Sequence, residues 1–214
     1  MRRPRRNTNK SDRVAVPKAA PGDLRIVQAF LNTVDVRSGI DELAQPRDLS
    51  EWLARQGLLA ANTKLSRTDL GRAHDVRDGM RALVAANLGV ELDKDAVHRL
   101  AEAAGTARPR LRIHGDGSDR FDAEDFDQAL GHLIALIALT RREGRWERLK
   151  ICANKECQAV FYNFSNNPTK WCTLRCGNRL RARKYRRTDK YKQKPSYKPP
   201  RLPAMFRDFM ERDD

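Results

Sequence analysis

All four cysteines of this 214-residue chain, Cys152, Cys157, Cys172 and Cys176, fall inside one stretch of 25 residues. They form two close pairs, Cys-x4-Cys and Cys-x3-Cys. Each pair can present two sulfurs from one tight turn, and four converging thiolates bind Zn²⁺ tetrahedrally. The reading is one structural zinc ion held by these four residues. Two disulfides would use the same cysteines, but Met1 to Pro21 lacks the apolar run of a signal peptide, which favours reduced thiols. A redox dithiol calls for Cys-x2-Cys beside a βαβ pattern, and iron–sulfur clusters use other spacings. A zinc ion with four thiolates has no open position for an activated water, so it is not a hydrolytic centre.

The elements that must position these sulfurs follow from their flanks. Val160, Phe161, Tyr162 and Phe164 are β-prone, and Ser165 to Pro168 carry turn chemistry, so a hairpin is expected between the cysteine pairs. The last pair runs into Gly177 to Arg187, free of proline and rich in helix formers, so Cys172 and Cys176 open a helix. A turn, a hairpin and a helix whose first turn donates ligands form a treble-clef layout, and the helix N-terminus favours thiolate charge.

The string Cys172-x3-Cys176-Gly177-Asn178-Arg179, with Cys152-x4-Cys157-x3-Phe161-x-Asn163-x-Ser165 before it and an Arg-rich helix after it, resembles the CGNR zinc finger. The resemblance implies that its four cysteines are the zinc ligands. In that family the finger follows a mostly helical domain, ABATE, of stress-induced transcription regulators. Phe30-Leu31-Asn32-Thr33-Val34 and Asp48-Leu49-x2-Trp52-Leu53-x3-Gly57-Leu58-Leu59 resemble that domain here. The turn Asn166-Asn167-Pro168-Thr169-Lys170 departs from the family, whose members often carry more arginine there.

Charge points to a nucleic-acid partner independently. The chain carries +15, yet residues 21–150 hold 20 Lys/Arg against 21 acids. Residues 1–20 hold 7 against 1, and residues 151–214 hold 16 against 6. The zinc tetrathiolate, at about −2, offsets only a few of these cations. Arg175, Arg179, Arg183 and either Arg186 or Arg187 recur every three or four residues, with Arg181 and Lys184 widening the stripe. An ordinary charged helix would be a solvated face. Here no acid occurs from Leu174 to Thr188, and guanidinium forks suit phosphate oxygens and guanine edges, so phosphate binding is favoured. Beyond it, Tyr191 and Tyr197 alternate with lysines in a proline-bearing segment suited to stacking on bases, or to solubilising the chain. Met205-Phe206-x2-Phe209-Met210 is a short amphipathic patch, expected to dock on the chain's own core.

The middle of the chain reads as helices. Leu24, Val27, Phe30, Leu31 and Val34 define a first, and Leu49, Trp52 and Leu53 a second that stops near Gly57. Ser66-x2-Asp69 starts a third that ends by Gly89, and Val97, Leu100, Ala101 and Ala104 mark a fourth. Leu111 and Ile113 enter a hairpin through Phe121, and the longest helix is expected from Ala123 to about Glu143, with Asp122 as its cap. His74, His98, His114 and His132 are scattered, and Asp116 to Asp125 lacks the EF-hand pattern. No enzyme is expected.

The expected fold class is therefore mainly α: a helical N-terminal domain with a small β-hairpin, then a small treble-clef-like Cys₄ zinc finger. The expected domains are a basic disordered arm over 1–21, the helical ABATE-like domain over 22–148, the finger with its Arg-rich helix over 149–187 and a basic Pro/Lys/Tyr tail over 188–214. The expected function is a cytoplasmic, bacterial-type regulator that binds nucleic acid, duplex DNA before RNA, through Arg175, Arg179, Arg181, Arg183, Lys184, Arg186 and Arg187. Its helical domain would sense a small-molecule effector or assemble a homodimer, with Asn32, Arg37 and Trp52 as candidate effector contacts. A structured-RNA binder, an enzyme with its site in the helical domain and a protein-binding finger are the alternatives. No membrane partner is expected, since no apolar run is long enough to span a bilayer.

Overall fold

The computed structural model describes residues 19–188. Residues 1–18 of the expected arm and 189–214 of the expected tail, with the Met205–Met210 patch, lie outside them, while Ala20, near the end of the expected arm, is buried in the core. Six helices are described: α1 (Leu24–Leu31), α2 (Pro46–Arg55), α3 (Arg67–Ala86), α4 (Lys94–Thr106), α5 (Phe126–Arg142) and α6 (Leu174–Arg186). Three antiparallel strand pairs accompany them: β1 (Val34–Asp35) with β2 (Ile40–Asp41), β3 (Arg110–Ile113) with β4 (Asp119–Asp122), and β5 (Leu149–Ile151) with β6 (Val160–Tyr162). The fold is mainly α with small strand pairs, as expected. Contacts divide the chain after Gly177, so the expected boundary at 148/149 falls inside the first compact unit.

Helical spacing places Leu24, Val27, Phe30 and Leu31 on one face of α1, all fully buried. At the start of α3, the Ser66 hydroxyl accepts the Asp69 amide at 3.1 Å while Asp69 accepts the Ser66 amide at 2.8 Å. This reciprocal cap satisfies two otherwise orphaned donors. Gly79 lets α4 approach closely, because a Cβ there would lie 2.4 Å from Leu100 Cβ and 2.8 Å from the Ala96 carbonyl oxygen.

Three expectations are corrected. The longest helix is α3, with 20 residues, not α5, with 17. The cap of α5 is Asp125, whose carboxylate accepts the Gln128 amide at 2.9 Å. Asp122 instead ends β4 opposite Arg110, three residues short of the cap position, and pairs with Arg112 at 2.5 Å. Finally, β6 does not pair across the Ser165–Pro168 turn. It pairs back with β5, Leu149 opposite Tyr162 and Ile151 opposite Val160, so the first cysteine pair sits in the connection between two strands.

The β1–β2 hairpin is an element the helical periodicity did not reveal. Its anchor is Arg77, 4 % exposed on α3, which donates to Thr33 Oγ1 at 3.0 Å and to both Asp41 oxygens at 2.7 and 2.6 Å. Burial raises the Asp41 pKa, but the hydrogen bonds from Arg77 and the Leu43 amide and the Arg77 charge outweigh it and leave the carboxyl below its usual range. A depressed carboxyl stabilises the fold above its unfolded pKa, near 3.9, and loses that contribution as pH falls through the folded value. Stability should therefore decline from about pH 4 downwards, and Asp41→Asn should flatten that decline in urea titrations across pH.

Candidate metal centre and arginine helix

The residues around the cysteines explain how four sulfurs from two distant pairs meet. Cys152 follows β5, and its amide donates to the Ala159 carbonyl at 2.9 Å, closing the knuckle between β5 and β6. Inside it, Asn154 accepts the Cys157 amide at 2.7 Å and the Glu156 amide on its side chain at 3.2 Å. Gln158 leaves the knuckle with φ +47°. Cys172 precedes α6 and Cys176 lies in its first turn. There Thr173 Oγ1 accepts the Cys176 amide at 3.3 Å.

All four sulfurs lie within 4.8 Å of one another, with Cys157–Cys172 and Cys172–Cys176 at 3.6 Å. Tetrahedral zinc with bonds near 2.3 Å requires sulfurs about 3.8 Å apart, so the donor set and its spacing fit one zinc ion. The hydrogen bond shared with Cys152 holds the Cys157 thiol far below its usual range. The same bond pushes Cys152 up to about 11, and bonds with Cys152 and Cys157, together with burial, push Cys172 up as well. Four crowded sulfurs cannot all ionise without a cation among them.

The centre is built into the helical domain. Leu149, Val160 and Tyr162 belong to the same buried cluster as α1, α3 and α5. Asn32, 128 residues from Val160 in sequence, donates to its carbonyl at 2.8 Å and accepts its amide at 2.7 Å. Gln28 adds a bond to the same carbonyl at 3.2 Å. Arg81 bridges the Leu31 carbonyl at the end of α1, at 2.6 Å, and the Gln158 carbonyl at 2.9 Å. Burial lowers the Arg81 pKa, with the Arg77 charge second. Lys150 donates to the Asn87 carbonyl at 2.6 Å, and Asn87 donates to the Trp146 and Leu149 carbonyls, both at 3.0 Å.

Arg77, Arg81, Asn87, Gln28 and Lys150 were not singled out by sequence reasoning. One signal was available: Arg77 shares the face of α3 that buries Ala73, Val76, Met80 and Val84. A cation at such a position implies a buried acceptor. Of the three candidate effector residues, Asn32 is occupied by Val160. Trp52 is core, 3 % exposed and packed on Phe30 with ring centroids 5.4 Å apart.

The glycine of the finger motif has a local cause. A Cβ on Gly177 would meet Trp171 Cδ1 at 2.9 Å, so only glycine lets the indole lie against the first turn of α6. Arg175, Arg179, Arg181, Arg183, Lys184 and Arg186 all fall within α6, and Arg187 follows it, its amide bonded to the Lys184 carbonyl at 3.2 Å. The spacing of Arg175, Arg179, Arg183 and Arg186 in a continuous helix aligns them on one face. Arg181 reaches Asn178 Oδ1 at 3.4 Å. Arg175, Arg179, Arg181, Lys184, Arg186 and Arg187 have no ion pair among the described residues. No described helix is long and apolar enough to cross a membrane.

A model of the ABATE domain, described as "Putative stress-induced transcription regulator", matches residues 24–141, and a model of the CGNR zinc finger matches residues 148–188. No curated protein matches the chain.

Proposed function

The chain belongs to the ABATE family and carries a CGNR zinc finger over residues 148–188, and from that premise we propose that it is a zinc-dependent transcriptional regulator that binds duplex DNA through α6. The observation that carries this reading is the acid-free arginine stripe on a helix whose first turn donates a metal ligand. Zinc, when bound, supplies structural cross-linking of the two cysteine pairs and no reaction chemistry. Guanidiniums on α6 then meet phosphates or base edges without rearranging the helix. The helical domain senses a signal or assembles the protein. The regulator has no catalytic site in this reading and acts in the cytoplasm on the nucleoid.

The test is binding of zinc-loaded protein to random and genomic-fragment duplexes, and to structured RNA, across a salt series. Six cations on phosphates give a slope of log K against log salt of about −5. Arg179→Ala should reduce that slope by about one if its contact is phosphate alone, and should alter sequence preference if it touches a base. A selected duplex still bound at physiological salt supports the reading. Tighter binding to RNA, or salt-labile binding to every duplex alike, overturns it.

A further inference from the structure

A cavity of about 480 Å³ opens between α1, the β1–β2 hairpin, the end of α2 and the knuckle that carries Cys157. That size suits a small organic molecule. Trp52, Ala29, Val34 and Ala159 form its apolar part, and four charged side chains, two amides and Cys157 line the rest. Asp35 is already used by its own turn, accepting the Arg37 amide at 2.9 Å and Ser38 Oγ at 2.8 Å. Asp35 keeps its charge there and Glu42 is the second acid of the lining, but neither forms an ion pair with Arg37 or Arg55, which have none among the described residues. Arg37 is placed differently from a surface cation. Its Nε is buried without a hydrogen-bond partner, and its Nη2 lies 3.7 Å from Cys176 Sγ. One guanidinium therefore faces both the cavity and the metal centre.

We propose that this cavity binds a small organic carboxylate with a flat apolar body, recognised by Arg37 and Arg55 against Trp52, and that occupancy is passed to the zinc centre through the Arg37–Cys176 contact. A carboxylate on Arg37 competes with the sulfur for the same guanidinium. That withdraws positive charge from a tetrathiolate whose negative charge it offsets. The inference deepens the regulator reading by naming what the helical domain senses.

The experiment uses the zinc-loaded full chain without nucleic acid, so loss of DNA binding and loss of this site are separately visible. Benzoate, benzamide and benzylamine are titrated while the Trp52 indole N–H resonance, assigned with Trp52→Phe, is followed by NMR. Benzoate should shift that resonance, and Arg55→Gln, at an exposed position on the end of α2, should weaken binding by about tenfold. Arg37→Gln should do the same and should also abolish any effect of benzoate on the rate at which a chromophoric chelator takes the zinc. In the native chain that rate should rise severalfold with benzoate. No shift with benzoate at about 10 mM, where fragments of this size bind, overturns the site. So do equal affinity for benzamide or benzylamine and indifference to both arginine variants. An unchanged chelation rate overturns the coupling even if the site stands.

Discussion

Cys172→Ser is expected to remove stoichiometric zinc and, with it, several kcal/mol of stability from the whole first unit rather than from the finger alone. Structural zinc in small fingers contributes about 10–16 kcal/mol of apparent binding free energy, which bounds the effect from above. The loss should spread because the knuckle is not a separate body. Leu149, Val160 and Tyr162 pack in the main core, and Asn32 and Arg81 hold the backbone of β6 and of Gln158. With the sulfurs no longer tied, these residues lose their fixed partners, and Arg81 keeps a buried charge with one acceptor fewer. Denaturant unfolding followed by tryptophan fluorescence, with and without chelator, reads this directly. Chelated native protein should unfold near the Cys172→Ser midpoint, in one transition shared with the helical domain. A helical-domain midpoint indifferent to metal would show instead that the finger folds independently.

The second large effect is expected on nucleic acid. The double charge reversal Arg179→Glu with Arg186→Glu replaces two cations on the α6 stripe by anions. It should lower duplex affinity by at least about 100-fold near physiological salt, because a phosphate that no longer meets a guanidinium keeps its counterion and each new carboxylate repels the DNA backbone. Zinc content and the unfolding midpoint should stay close to native, because neither side chain has an ion pair among the described residues and neither belongs to the core. Duplex affinity within a few-fold of native would move the interface away from α6. Loss of zinc in the same variant would mean that the arginines serve the metal site.

Part of this molecule is legible in one dimension because the causes act over short separations. The two cysteine pairs lie within the reach of single turns. The α3 cap joins Ser66 to Asp69, three residues apart. The apolar face of α1 repeats with the period of the helix itself, and the arginine stripe of α6 does the same. The resemblance to the ABATE and CGNR families rests on strings of this kind. The cap of α5 was misplaced from Asp125 to Asp122 because two carboxylates three residues apart offer the same local chemistry. Only the pairing of β4 with β3 takes Asp122 into a strand and leaves Asp125 beside the first turn of α5.

Tertiary structure decided where those local pieces join. No periodicity indicates that β6 pairs back with β5, that Asn32 bonds Val160, or that Arg37 of a two-residue-strand hairpin reaches Cys176, 139 residues away. Such contacts depend on buried donors and acceptors that must each find a partner once water is excluded. A sequence shows which residues carry those groups but not which distant backbone will meet them. The chemistry of four thiolates and an arginine helix was therefore written in the residues themselves. The fusion of the metal centre with the helical core, and the cavity at its edge, arose only when the chain had packed.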